Sequence, residues 1–205
     1  KAAMVKVFGR ERADYAEIAP ALFLKDGPYR NVYELMTFYD NHDMARLDAD
    51  DEGFIDAHNL LFTARGIPVV YYGSESGFMR GTVEHAGNRN YFGVEGIAAA
   101  RQSPIRTALM EVAEARRTSI ALQRGVQIPI EMAGDRAAFW RVYQHGDAHQ
   151  TALVLLNKGD APTRFEIAGM QAGEWTSAFG GHRRHVDATG EASITVGAHG
   201  VEVLL

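Results

Sequence analysis

The sequence predicts an α/β fold in two parts, with parallel βα units over residues 1–125 and an all-β antiparallel sandwich over residues 126–205. In the first part, strand-like and helical segments alternate along the chain, and such alternation favours a parallel sheet. In the second part, only short β-rich runs occur, separated by turn-forming residues, as in antiparallel sandwiches. We therefore expect two domains with a boundary near residue 125.

The first βα unit is predicted over residues 32–65. Residues 32–39 (VYELMTFY) form an apolar and aromatic run that is short enough for a buried strand. In residues 54–65 (FIDAHNLLFTAR), apolar side chains recur at helical spacing, and Gly66 follows as a C-terminal stop. We expect His58, which lies on this helix, to be a packed imidazole rather than a metal ligand.

The second βα unit begins with residues 67–72 (IPVVYY), again a strand-like run. A long glycine-rich loop is predicted over residues 73–96, and a helix is predicted from Pro104, with Ser103 as its N-cap, to about residue 125. Both predicted strands are almost continuously apolar, which suits a sheet covered on both faces. Polar residues follow each strand at its C-terminal end, which in a βα barrel is the face that carries active sites.

Four strands are predicted in the second part of the chain, over residues 137–144, 150–157, 163–167 and 192–196. Turn-forming pairs such as Gly134-Asp135 and Gly180-Gly181 lie between them. The short basic run over residues 182–185 (HRRH) is expected to be a solvated loop.

The composition excludes several classes of function. The chain of 205 residues has a formal net charge of −5 and no stripe of Lys and Arg, so we expect no nucleic-acid partner. It contains no cysteine, which excludes disulfides, thiolate zinc sites and a cysteine nucleophile. No apolar run reaches the roughly 20 residues that span a bilayer, so no membrane partner is expected. The compartment stays open, with a periplasmic or secreted location slightly favoured.

The segment best suited to chemistry is Asp40-Asn41-His42-Asp43, which directly follows the first predicted strand. Two carboxylates flank an amide and an imidazole, and burying such a group is costly unless the charges are paired or used. Two interpretations stay open on the residues alone. The segment is either a functional group at a strand end or an ordinary loop with a helix cap, which Asn and Asp favour.

Three motifs in order carry a resemblance to the α-amylase family of glycoside hydrolases. Residues 37–46 (TFYDNHDMAR) resemble that family's fourth conserved region, in the form found in cyclodextrin glucanotransferases and related amylases. Residues 66–75 (GIPVVYYGSE) resemble the family's eighth strand, and residues 87–89 (GNR) resemble the Asn-Arg motif that follows it. The resemblance covers residues 32–89 and implies the C-terminal part of a (β/α)8 TIM barrel, followed by the family's β-sandwich.

The resemblance also implies an activity and roles for single residues. The family consists of retaining hydrolases and transglycosylases that act on α-linked glucans such as starch, maltooligosaccharides or cyclodextrins, so an α-glucan oligosaccharide is the expected partner. Asp43 matches the third catalytic carboxylate, which binds hydroxyls of the distorted sugar and helps to keep the general acid protonated. His42 and Arg89 match substrate-binding residues, with Arg89 on the more distant glucose units. Asn41 is expected to hold the turn.

The family's nucleophile and general acid lie upstream of the Asn-His-Asp region, and residues 1–30 contain neither motif. Asp14, Glu17 and Asp26 have helical or turn-like surroundings and are not assigned these roles. We therefore expect a fragment that lacks both groups, is inactive alone, and has the remaining N-terminal part of the barrel as its partner. No metal ligand and no cofactor are expected in this segment. Calcium, which is common in the family, would be held in the full-length protein mostly by upstream residues.

A second class of function stays open from the sequence: a non-catalytic module that binds glucan or a partner protein through its β part. Trp140, Trp175 and Phe179 are the candidates for stacking on a sugar ring, although aromatic residues of a sandwich belong more often to the core.

Overall fold

A computed structural model describes residues 1–24 and 27–205 of the chain. Asp26, one of the three carboxylates set aside above, lies outside the described residues. The described part before residue 125 contains four short 3-10 turns and the following helices: α1 (Ala2–Phe8), α2 (Asp51–Thr63), α3 (Gly93–Ala100), α4 (Pro104–Thr118) and α5 (Ile120–Arg124). No helix in this part of the structure is both long and apolar enough to cross a bilayer.

Two short strands, β1 (Met36–Thr37) and β2 (Ile67–Pro68), form a parallel pair, as the alternation of elements predicts. The predicted strand lengths are wrong. Val32–Glu34 forms a 3-10 turn instead, because the Asn31 side chain accepts a hydrogen bond from the Tyr33 amide at 3.0 Å. Each strand has a ladder partner on one edge only among the described residues. The structure thus shows the parallel pair, and the barrel stays a prediction.

Helix α2 confirms the predicted helix and begins three residues earlier than expected. Asp50 is its N-cap and accepts a hydrogen bond from the Gly53 amide at 2.9 Å, and Asp51 and Glu52 lie in the first turn. Both features favour an early start, since they satisfy free amide groups and oppose the positive end of the helix dipole. The helix ends at Thr63 with Ala64 as its C-cap, two residues before the predicted stop at Gly66. Gly66 lies in the turn that follows, with a φ of +93°, a conformation that glycine adopts without strain.

The segment over residues 93–124 differs from its prediction in two respects. Helix α3 begins at Gly93, inside the stretch expected to be a loop. The long helix predicted to about residue 125 is divided at Ser119 into α4 and α5. The Ser119 hydroxyl accepts a hydrogen bond from the Leu122 amide at 3.2 Å and donates to Gln150 at 2.9 Å, so it starts a new helix. Ser103 does occupy the N-cap position of α4, but its side chain makes no capping bond.

The second part is antiparallel throughout its described strands, as predicted. A four-stranded sheet has the order β10-β5-β4-β3, and two two-stranded sheets pair β6 with β9 and β7 with β8. The strands are β3 (Val126–Ala133), β4 (Arg136–His145), β5 (Ala148–Asn157), β6 (Thr163–Ile167), β7 (Gly173–Thr176), β8 (Arg183–Val186), β9 (Ala192–Val196) and β10 (Gly200–Leu204). The prediction of a loop over residues 182–185 is wrong, since most of this basic run is strand β8. The side chains of the run are exposed to solvent, as predicted.

The four-stranded sheet is the central layer of the fold. On one face, Leu153 and Leu155 pack in a buried cluster with residues of the two smaller sheets, such as Phe165. On the other face, Phe139 and Val154 share a buried cluster with residues of the helical part. The domain boundary near residue 125 stays a prediction.

Candidate functional site

The loops that follow β1 and β2 lie side by side, because the two strands run parallel and end at the same edge. The loop after β1 carries Asn41, His42 and Asp43. Asn41 holds this loop, as the resemblance implied, by accepting a hydrogen bond from the Asp43 amide at 2.9 Å. Such Asx turns fix the direction of the following side chain.

Asp43, His42 and Arg89, the three residues predicted for the site, are brought together. Arg89 Nη2 donates to Asp43 Oδ1 at 2.6 Å, and His42 Nε2 lies 3.1 Å from Asp43 Oδ2. Two further hydrogen bonds converge on the carbonyl oxygen of His42, from Asn88 Nδ2 at 2.6 Å and from Arg89 Nε at 3.1 Å. The Asp43 side chain is 57% exposed, so it is accessible to a ligand from solvent.

The loop that carries Arg89 is held from the side of β2 by two tyrosines. Tyr71 donates its hydroxyl hydrogen to the carbonyl oxygen of Asn88 at 2.8 Å, and Tyr72 donates to that of Asn90 at 2.6 Å. The Tyr71 ring also lies 6.4 Å from the His42 ring, centroid to centroid. Three stretches of chain, around residues 42, 71 and 89, therefore form one surface.

Arg46 is the residue of this region that the sequence analysis missed. It is buried, and it donates from Nη1 to the carbonyl oxygen of Tyr72 at 2.9 Å and from Nε to that of Gly87 at 3.2 Å. Its guanidinium carbon lies 4.7 Å from the Tyr71 ring centroid and 4.9 Å from the Tyr72 ring centroid. Arg46 thus contacts all three of these stretches of chain from the buried side of the site. The only sequence signal was its place at the end of the TFYDNHDMAR motif.

Asp40 is buried beneath the loop and does not face solvent with Asp43. The Ser74 hydroxyl lies 3.0 Å and 3.1 Å from its two carboxylate oxygens, and the Arg46 Nη1 lies 3.4 Å from the same hydroxyl. Burial raises the pKa of Asp40, while the hydrogen bond from Ser74 and the charge of Arg46 oppose this rise. Asp40 therefore anchors the loop, and Asp43 is the carboxylate of this segment that a ligand can reach.

The His58 imidazole is packed as predicted. It is fully buried on α2 with its Nε2 2.8 Å from the Tyr39 hydroxyl. Burial lowers the pKa of His58 to about 3, so the ring is neutral at ordinary pH. Within residues 1–24 and 27–205, no group of three or more His, Asp and Glu side chains is placed to hold a metal ion. Calcium stays a prediction about a longer protein.

The sequence is similar to those of two kinds of glucan-active enzyme. An α-amylase from Streptomyces lividans is 26% identical over 213 aligned residues, which cover 85% of this chain and 22% of the amylase. A cyclomaltodextrin glucanotransferase from Geobacillus stearothermophilus is 29% identical, with 75% of this chain and 21% of the enzyme covered. This chain is a relative of the α-amylases and cyclomaltodextrin glucanotransferases. The resemblance to the α-amylase family is thereby confirmed. No family model matches the chain.

Solved structures of this family have the same fold as the chain. The cyclomaltodextrin glucanotransferase CldA superimposes with a TM-score of 0.75 and 26% identity, covering 98% of this chain and 42% of that enzyme. An Anoxybacillus α-amylase has a TM-score of 0.81 at 20% identity and covers 98% of this chain and 44% of its own. The match lies in the C-terminal region of these relatives. The chain spans about a fifth of the length of the two sequence relatives named above.

Proposed function

We propose that this chain contributes Asp43, with His42 and Arg89, to the active site of a retaining glycoside hydrolase or transglycosylase that acts on α-linked glucans. The substrates that we propose are starch, maltooligosaccharides and cyclodextrins. The observation that supports this most is the convergence of the three motif-bearing loops, in which the Asp43 carboxylate lies 2.6 Å from Arg89 and 3.1 Å from His42.

The proposed glycosidic reaction requires an acidic group at the position of Asp43. A retaining mechanism uses a nucleophilic carboxylate and a protonated acid about 5 Å apart, around an oxocarbenium-like transition state. We assign to Asp43 the role of a third carboxylate, which accepts hydrogen bonds from hydroxyl groups of the distorted sugar. Such bonds strengthen as positive charge develops on the ring, so they stabilise the transition state more than the bound substrate. His42 is placed beside it to donate to the same sugar.

The nucleophile and the general acid would come from preceding strands of the barrel, which is the protein partner that we propose. The parallel pair β1–β2 supports this, because parallel strands occur almost only in larger sheets that are covered on both faces. Here Met36 and Ile67, which are register partners, are 67% and 51% exposed. Further strands and helices would cover these apolar side chains. By itself the chain would not hydrolyse glucans, since removing members of a cooperating catalytic set abolishes most of the rate.

The test is an Asp43→Asn substitution in the protein that joins this chain to the preceding barrel strands. We expect kcat on maltoheptaose to fall by a factor of about a hundred or more with a modest change in KM, because the lost interaction is made mainly in the transition state. Asp48→Asn is the matched control, since Asp48 is an exposed aspartate that pairs with Arg10 at 2.9 Å outside the site. Near-normal turnover in Asp43→Asn would overturn the assigned role.

A further inference from the structure

A cleft in the β part takes no part in the site described so far. It has a volume of about 260 Å³ and lies between β3, β4, β5 and the chain that leads into β7. Side chains of both tryptophans line it together with two aliphatic and two neutral polar residues: Trp140, Trp175, Ile128, Val142, Thr151 and Gln171.

The two tryptophans have different roles in this cleft. Trp175 is 6% exposed and donates its indole N–H to the carbonyl oxygen of Gln171 at 2.8 Å, so it is part of the wall. Trp140 lies 6.0 Å from it, centroid to centroid, and is only partly buried. Ile128, its register partner on β3, is 48% exposed. Trp140 and Ile128 together therefore offer an accessible apolar surface.

Three polar groups around this surface are free. The Trp140 indole N–H, the Thr151 hydroxyl and the Gln171 side-chain amide make no hydrogen bond to any residue that the structure describes. No Asp, Glu, Lys, Arg or His is among the lining residues, although the chain as a whole carries a net charge of −5. A ligand that matches this cleft is neutral and combines an apolar face with hydrogen-bonding groups at its edge. A pyranose ring has this chemistry, with C–H groups on its faces and hydroxyl groups around its rim.

The cleft continues in two directions along the same surface. A second cleft of about 360 Å³ shares Thr151, Gln171 and Trp175 with the first, and a third of about 420 Å³ shares Val142. The central cleft is smaller than the roughly 300–1,000 Å³ of a typical small-molecule pocket. It therefore suits one ring of an extended ligand, whose neighbouring units would lie in the adjoining clefts.

We propose that this surface binds a segment of an α-glucan chain, with one glucose ring against Trp140 and its hydroxyl groups bonded to Thr151 and Gln171. The choice of α-linked glucose rests on the proposed function, whereas the neutral oligosaccharide chemistry comes from the cleft itself. Of the three aromatic residues considered from the sequence, Trp140 is the partly buried one that lines this cleft. Trp175 is buried, and Phe179 packs against the cluster on the other side of the sheet.

The two tryptophans serve as intrinsic probes for this proposal, because Trp140 and Trp175 are the only tryptophans in the sequence. Intrinsic tryptophan fluorescence and the two indole N–H resonances therefore report on this cleft and on no other place. Titration of this chain with maltoheptaose should give a saturable change in fluorescence and should move the Trp140 indole resonance. Maltotriose should bind more weakly than maltoheptaose, and cellotriose more weakly than maltotriose. Absence of any saturable signal at millimolar maltoheptaose would overturn the proposal.

Three variants test which atoms are responsible. Thr151→Val and Gln171→Leu should each raise the Kd about threefold to tenfold, the value of one hydrogen bond. Trp140→Leu should abolish binding, read for this variant from the indole resonance of Trp175 and from calorimetry, with far-UV circular dichroism to check the fold. Ile130→Ala is the control, since Ile130 lies on the same strand as Ile128, is 43% exposed, and lies outside the lining. Unchanged affinity in both polar variants would overturn the proposal.

The outcome is separable from that of the proposed function. Asp43→Asn should leave the tryptophan signal and its Kd unchanged, since Asp43 is not among the residues that line any of the three clefts. A protein whose Asp43 variant retains full turnover but whose cleft binds maltoheptaose would refute only the assignment of Asp43. A protein with the reverse behaviour would refute only the cleft.

Discussion

Replacing Arg46 by methionine tests whether the three loops of the site depend on one buried side chain. Methionine keeps most of the length and apolar character of the arginine stem and removes the guanidinium. The substitution leaves the carbonyl oxygens of Tyr72 and Gly87 without their donors at 2.9 and 3.2 Å. It also removes the cation that lies over the rings of Tyr71 and Tyr72.

The expected loss follows from these contacts. Hydrogen bonds from a charged donor contribute about 1.5–3 kcal/mol each, and a cation over an aromatic ring contributes about 0.5–1 kcal/mol or more when desolvated. Releasing a buried guanidinium offsets part of this sum, and removing one member of a buried charged network costs about 3–5 kcal/mol. Asp40 limits the loss, because burial already raises the pKa of this carboxyl and it can take up a proton when the arginine is gone. We expect the free energy of unfolding to fall by about 3 kcal/mol.

The assay is urea denaturation of the Arg46→Met variant, followed by amide hydrogen exchange of the folded protein. Exchange should become faster over residues 87–90, because this loop loses the bond from Arg46 to Gly87. Arg10→Met is the control, since Arg10 forms an exposed pair with Asp48 at 2.9 Å and should change stability by less than about 0.5 kcal/mol. An unfolding free energy of Arg46→Met that equals that of the control would refute the reasoning.

Two further predictions concern buried polar pairs on α2. Burial raises the pKa of Asp56 to about 7. For His199, burial lowers the pKa, but hydrogen bonds to Asp56 and Asp160 raise it, and the net change is a rise. The folded protein therefore holds protons that the unfolded chain releases, so the free energy of unfolding should fall by about 1 kcal/mol between roughly pH 6 and pH 8. Urea titrations across this range should show the fall, Asp56→Asn should flatten it, and a rise with pH would contradict it. Tyr39→Phe should lower stability by about 1–2 kcal/mol, because it leaves the buried Nε2 of His58 without its partner at 2.8 Å. Thermal unfolding measures this loss, and an unchanged melting temperature would count against it.

The part of the fold that could be predicted is the part encoded by local pattern. Strands β6 and β9 were placed at their observed residues, since their side chains alternate between the core and solvent. Strand β8 was missed because three of its four residues are charged or polar and exposed, so it lacks that alternation. The break between α4 and α5 was missed for another reason. The helical spacing continues across Ser119, and the interruption depends on a hydrogen bond to Gln150, 31 residues further along the chain.

In the candidate site, too, some residues could be predicted from the sequence and others could not. Asp43, His42 and Arg89 were found through motifs, and the structure places them in contact, although their roles stay predictions. Arg46 could not be found, because an arginine in a sequence usually indicates a solvated surface position. Its burial depends on Tyr71 and on other groups that come from distant stretches of the chain.

The ion pair between Asp43 and Arg89 raises a question about mechanism, since a carboxylate already paired with a cation has less capacity to bind sugar hydroxyls. Both side chains are more than half exposed, and exposed ion pairs contribute only about 0–1 kcal/mol. Breaking this pair therefore opposes substrate binding very little. Under the roles that we propose, the pair also limits the influence of Asp43 on the general acid, because the negative charge of Asp43 is offset as long as Arg89 stays bound. In the site that we propose, the carboxylate would raise the pKa of that acid fully only after Arg89 has moved onto the substrate. We therefore expect proton donation to depend on occupancy of the glucose units proposed to contact Arg89. Short oligosaccharides that leave Arg89 paired with Asp43 should then show a lower kcat than long ones. An Arg89→Met variant should lose this dependence of kcat on chain length. If the dependence persists in the variant, Arg89 is not its cause.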